Sequence, residues 1–166
     1  MFSQIIKFKV GFAVAMLWQV TAFAQSAPDF SLLVLDSSKK ISLADVKGKV
    51  VYLDFWASWC GPCALSLPEL EKLRSRFRHQ GFEVLAINLD DSMDDARRFL
   101  EDKQISYPIL VDGQQVTPEQ YGITGMPTAF LLDRNGQLRE VHKGYKKGDT
   151  ELLASKIKAL LEEEEN

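Results

Sequence analysis

From Val50 to Trp56 the chain carries six apolar side chains in seven positions, broken only by Asp54. A strand with one wet face would alternate apolar and polar residues. The lack of alternation predicts a strand covered on both faces, at the centre of a sheet. Beyond it the apolar spacing becomes helical: Leu67, Leu70, Leu73 and Phe77 share one face, and Gly81 offers a stop, so a helix is predicted over about 61–80, with Pro68 expected to bend it. Phe82–Leu89 is a second apolar strand. A strand, a helix and a strand in succession imply parallel pairing through a right-handed crossover.

The flanking pattern adds shorter elements. Phe30–Leu35 and Ile41–Leu43, separated by the polar turn Asp36–Lys40, predict an N-terminal hairpin. Ser92 and Asp95 have the spacing of a capping box, ahead of a helix burying Met93, Ala96, Phe99 and Leu100. Tyr107–Val111 reads as a short strand, and Thr117-Pro118 as the cap and first residue of a brief helix ending at Gly122. Met126–Leu132 and Gln137–His142, joined through Asp133–Gly136, predict an antiparallel hairpin. A last helix, capped by Asp149 or Thr150, buries Leu153, Ile157, Leu160 and Leu161. Its terminal acids Glu162 to Glu165 oppose the helix dipole and should fray.

Length and composition bound the architecture. With 166 residues, 46% of them hydrophobic, the chain suffices for one domain with a proper core. Lys7 and Lys9 precede the apolar run Val10–Trp18, and Ala22-Phe23-Ala24 supplies a small-x-small cleavage pattern, so residues 1–24 read as a signal peptide and 25–166 as the mature domain. The run falls short of the roughly 20 apolar residues of a spanning helix, which makes an uncleaved anchor the lesser alternative. Removing this segment leaves 18 basic against 23 acidic residues, a net charge of −5. Such a domain lacks the basic footprint of a nucleic-acid binder.

Export changes the meaning of the two cysteines. Exported domains use disulfides as staples across long loops, but Cys60 and Cys63 close a loop too small to constrain the unfolded chain. Placed directly after a buried strand, with Pro62 suited to a first helical turn, they occupy a predicted helix N-terminus. Unpaired N–H groups and the helix dipole favour an anion there, lowering a thiol from about 8.5 to roughly 3.5–7.5 in such motifs. Cys60 is the expected nucleophile, and Cys63, one turn on, the thiol that resolves a mixed disulfide. No cofactor is expected beyond this pair. His79 and His142 lack zinc-ligand spacing, and Ala64 stands where covalent haem attachment needs histidine.

Trp59-Cys-Gly-Pro-Cys63 together with Tyr121-Gly-Ile-Thr-Gly-Met-Pro-Thr128 resembles the thioredoxin superfamily. Ala27-Pro-Asp-Phe30, Gly48-Lys-Val-Val51 and Phe55-Trp-Ala-Ser-Trp-Cys60 are similar to its exported TlpA/ResA-type branch. The resemblance implies an α/β, thioredoxin-like fold: a central mixed sheet flanked by four helices, with an N-terminal hairpin and one helix–strand insertion over 92–111. It implies a thiol–disulfide oxidoreductase that reduces protein disulfides, with a net oxidant or a redox-inert binding module of the same fold as alternatives. Leu53 and Ala57 stand where peroxiredoxins carry proline and threonine, which argues against a peroxidase.

The resemblance also assigns roles. Pro127 takes the place of the family's cis-proline, and the backbone of Met126 would pair with a substrate strand. Trp59, Gly61 and Pro62 would form the rim. Asp54, a charged type in a strand covered on both faces, matches the buried acid of classical thioredoxins and is expected to carry a raised pKa and to move the Cys63 proton. The branch's further acid falls near Asp91. Trp56 reads as core. Implied partners are exported protein disulfides, among them apocytochrome c or oxidase-assembly proteins, and a membrane thiol donor of the DsbD/CcdA type. A monomer is expected.

Overall fold

The computed structural model describes residues 25–163. The signal-peptide reading of residues 1–24 lies outside the described residues. Seven strands form one mixed sheet: β1 (Ser31–Val34), β2 (Lys40–Ser42), β3 (Val50–Trp56), β4 (Phe82–Asn88), β5 (Ile109–Val111), β6 (Thr128–Leu132) and β7 (Leu138–Lys143), in the spatial order β2-β1-β5-β4-β3-β6-β7. All seven residues of β3 are buried, as their unbroken apolar run requires. β3 pairs in parallel with β4, from Val50 opposite Phe82 to Trp56 opposite Asn88, and antiparallel with β6.

Among the described residues four α-helices accompany the sheet: α1 (Gly61–Phe77), α2 (Met93–Leu100), α3 (Val116–Gln120) and α4 (Asp149–Glu162). The period-two alternation of β3 divides the core. Val50, Tyr52 and Trp56 pack with Leu67, Leu70, Leu73 and Phe77 of α1 and Leu153, Ile157 and Leu160 of α4. Val51, Leu53 and Phe55 face the other way, against Phe30, Ile41, Val46 and Tyr121. Asp54 therefore lies on the α1 face, one pleat from Trp56. Arg74 of α1 holds Glu83 of β4 in an ion pair at the rim of that face.

α1 runs through Pro68 and tightens into a 3-10 turn, Arg78–Gln80, before Gly81 adopts φ +96° and sends the chain into β4. The positive φ is what favours glycine there; a Cβ would meet only the Arg134 guanidinium, at 2.8 Å, the end of a flexible side chain that can shift. The two leucines flanking Ser66 give a clean contrast. Leu67 is fully buried while Leu65 is 64% exposed. Leu67→Ala should cost about 2–5 kcal/mol and Leu65→Ala less than about 0.5 kcal/mol in urea unfolding.

Several helix starts differ from expectation. Ser92 caps α2 by position, but its side chain makes no cap hydrogen bond: the Asp95 N–H donates to the Ser92 carbonyl, and the Asp95 carboxylate pairs with Arg98 instead of reaching back. Of the expected stripe only Ala96 is fully buried, and Phe99 and Leu100 pack partly against the core. α3 begins before Thr117, behind Gln115 in a left-handed conformation (φ 52°). The Thr117 hydroxyl and N–H bind the Asp112 carboxylate instead of capping the helix. α4 follows left-handed Gly148, while Asp149 accepts the Lys146 N–H ahead of it. Of the terminal acids expected to fray, Glu163 pairs with Arg139 of β7, and Glu164 and Glu165 lie outside the described residues.

Candidate active site

Parallel β3 and β4 part at the carboxyl end of the sheet, and the chain from β3 turns through Ala57-Ser58-Trp59 into α1. Cys60 is the N-cap of that helix, in extended conformation, with Pro62 in the first turn. Cys60 and Cys63 form a disulfide, their Cα atoms 5.2 Å apart. The Cys63 N–H is shared between Cys60 Sγ at 3.2 Å and the Cys60 carbonyl at 3.1 Å, so a helix-start donor reaches one of the two sulfurs. Cys60 is 5% exposed and Cys63 0%. Ser66, buried one turn on, donates its hydroxyl to the Cys63 carbonyl at 3.2 Å.

The rim is apolar and open. Trp59 is 71% exposed, and Gly61 and Pro62 are exposed beside it. β6 begins at Thr128, opposite Phe55, so the segment just before it lies alongside the β3–α1 turn. There the Met126–Pro127 peptide bond is cis, Pro127 is buried, and the Met126 side chain packs against the cluster that contains both cysteines. The cysteines, Trp59, Gly61, Pro62, Met126 and Pro127 thus converge on one end of the sheet. Trp56, fully buried, stacks on Phe99 with centroids 5.2 Å apart, as a core residue does.

Asp54 lies beneath α1, 1% exposed, with its buried Oδ2 lacking a hydrogen-bond partner. Its register neighbours on either side are Ala86 and Ala129, and neither offers a charge or a donor. Desolvation alone pushes its pKa up to about 8. The Tyr52 hydroxyl, on the same face, shares a hydrogen bond with His142 Nδ1 at 2.8 Å, and His79 on the surface accepts from Arg78. Neither histidine approaches the cysteines through these contacts.

Asp91 is exposed and accepts the Gln115 amide at 3.0 Å. The buried acid of this turn is its neighbour Asp90, 5% exposed. Its carboxylate receives the Ser58 N–H at 3.0 and 3.1 Å, the Ser58 hydroxyl at 2.9 Å and the Asn88 amide at 2.8 Å. Sequence reasoning missed Asp90. The one available signal was its place two residues beyond Asn88, the polar residue that ends the apolar run Val84–Ile87 of β4.

A disulfide-forming cysteine pair at the start of a helix, one residue 5% exposed and the other fully buried, next to a cis-proline on a mixed sheet, defines a thioredoxin-fold thiol–disulfide oxidoreductase site. Comparison with known proteins carries this further. The redoxin family description matches residues 23–160. The thiol-disulfide oxidoreductase ResA of Geobacillus thermodenitrificans is 35% identical over 123 residues, covering 74% of this chain and 70% of the relative. The thioredoxin-like protein YneN of Bacillus subtilis is 38% identical over 123 residues, covering 72% and 71%. A crystal structure from Chlorobium tepidum, designated a thiol:disulfide interchange protein of the DsbE kind, superposes with a TM-score of 0.79 at 42% identity, covering 83% of this chain and 96% of that one. The chain belongs to the redoxin family, among its thiol–disulfide oxidoreductases.

Proposed function

We propose that the protein is an extracytoplasmic reductase of protein disulfides, with Cys60 as nucleophile and Cys63 as resolving thiol. The carrying observation is the asymmetry of the pair, in which Cys60 keeps 5% exposure and its Sγ accepts a helix-start N–H while Cys63 is fully enclosed. In the reduced protein the Cys60 thiolate attacks one sulfur of a substrate disulfide, forming a mixed disulfide and expelling a substrate thiolate. Cys63, losing its proton to Asp54, then attacks Cys60 Sγ and releases the second substrate thiolate. Two electrons have passed to the substrate, and the Cys60–Cys63 disulfide remains.

Asp54 suits that role because a carboxyl near 8 is closely matched to a thiol of about 8.5, and proton transfer between matched groups is efficient. A substrate strand would lie across Trp59 and pair with the Met126 backbone beside Pro127. Renewed reduction would come from a membrane thiol donor of the DsbD/CcdA type, with apocytochrome c or an oxidase-assembly protein as substrate. The N-terminal signal pattern supports an extracytoplasmic location, and among the described residues no helix is long and apolar enough to cross a membrane. The domain is read as a monomer.

Reduction is favoured over oxidation by the Gly61-Pro62 dipeptide and by the modest insertion, α2 and β5 alone, between β4 and α3. The midpoint potential tests the direction. A value near about −270 mV is expected, and one near about −120 mV would mark an oxidant. Failure of the reduced protein to cleave insulin disulfides would favour the binding-module reading.

A further inference from the structure

Besides the proton-handling acid under α1, a second carboxylate is built into this site, and it faces the turn that carries the nucleophile. β3 and β4 end their ladder at Trp56 and Asn88, with one more bond from the Leu89 N–H to the Trp56 carbonyl at 2.9 Å. Asp90 then reaches across the parting strands. Both of its oxygens act only as acceptors, from Ser58 N–H, Ser58 hydroxyl and Asn88 amide, and the Asn88 side-chain carbonyl in return receives the Asp90 N–H at 3.2 Å. This arrangement closes on itself in a nearly buried position. It serves no ladder and caps no helix. Its one external attachment is Ser58, two places before Cys60, and the Cys60 N–H turns back to the Ala57 carbonyl at 3.1 Å.

We infer that Asp90 is a positioning residue that pins the Ser58 turn under Cys60 and, through its charge, holds the Cys60–Cys63 couple on the reducing side. This rests on the thiol–disulfide reading above. The physical reason is that a fixed negative charge beneath the turn opposes thiolate formation at Cys60. The dithiol form is thereby stabilised less than the disulfide, and the strongest oxidants of this kind owe their potential to a stabilised reduced form. The donors of the Ser58 turn are spent on Asp90 instead of on a thiolate. Few other charges compete: β3 supplies Asp54, the β4–α2 connection supplies Asp90 and exposed Asp91, α1 has no ionisable side chain other than the cysteines before Glu69, and β6 has none.

The experiment equilibrates each protein with glutathione buffers and follows the pH profile of Cys60 alkylation in the reduced form. Asp90→Asn keeps the side chain's shape and removes its charge. It should move the equilibrium toward the dithiol by about tenfold, which is about 30 mV, and shift Cys60 alkylation to lower pH. Ser58→Ala keeps the charge and loses one donor, and should stay within about twofold of wild type. Asp90→Gly removes the same charge while admitting water to the Ser58 N–H, and stands in if Asp90→Asn does not fold. The inference is overturned if the uncharged variants lose stability but keep the wild-type potential and alkylation profile, or if Ser58→Ala shifts both as far as they do. A wild-type protein that does not titrate reversibly at all would instead defeat the thiol–disulfide reading itself.

Discussion

Cys63→Ser is expected to convert the protein from a catalyst into a trap. With the resolving thiol gone, the mixed disulfide at Cys60 can be released only by an external thiol. A well-placed intramolecular group acts at an effective concentration of about 10⁵ M or more, so millimolar external thiol is a poor substitute and turnover should fall by at least about 10³-fold. Covalent adducts should accumulate in the compartment where the protein works, separable on non-reducing gels and identifiable by their partner. Cys60→Ser should lose insulin reduction entirely and form no such adducts, because Cys63 is fully enclosed while Cys60 Sγ sits at the helix mouth. Adducts forming through Cys63 in Cys60→Ser would reverse the two roles.

The residues that make this trap work were legible because each depends on a local pattern. An unbroken apolar run marks β3 as central, since only a strand covered twice can dispense with polar alternation. Pro62 and the helical spacing from Leu67 onward place both cysteines at a helix start. What was illegible depends on contacts between distant segments. The N-terminal hairpin could be read from its turn, but nothing in 30–43 announces that β1 lies antiparallel beside β5, pairing Leu33 with Val111. Asp90 and Asp91 stand next to each other in a polar stretch, and only the direction in which the chain leaves β4 decides which is buried. The resemblance pointed to Asp91, yet the donors at Ser58 lie on the side to which Asp90 turns. The helix starts were misjudged for a different reason, competition from partners only three to five residues away. Asp95, Thr117 and Asp149 have the right types for caps, but Arg98, Asp112 and Lys146 claim them in space.

Asp54→Asn is expected to have the largest effect on stability and to slow exchange at the same time. The folded pKa of Asp54, near 8, lies well above the roughly 3.9 of an unfolded aspartate. The folded state therefore keeps its proton at pH values where the unfolded chain has released it. Asp54's relative contribution is fully present below about pH 4, declines as pH rises, and levels off above about pH 8. A shift of that size corresponds to a destabilisation on the order of 5 kcal/mol at alkaline pH. Asparagine has no proton to lose. Urea unfolding of the oxidised protein should show Asp54→Asn gaining on wild type steadily between pH 4 and 8, and holding a constant lead beyond. The second half of the expectation is kinetic. Asparagine cannot take the Cys63 proton, so resolution of the mixed disulfide should slow by roughly 10²-fold or more near neutral pH, and the rate profile should lose its inflection near pH 8. Stability and rate then move in opposite directions, which is the signature of a strained catalytic group. A variant that is less stable and fully active would instead make Asp54 an ordinary structural residue, with the Cys63 proton leaving by another route.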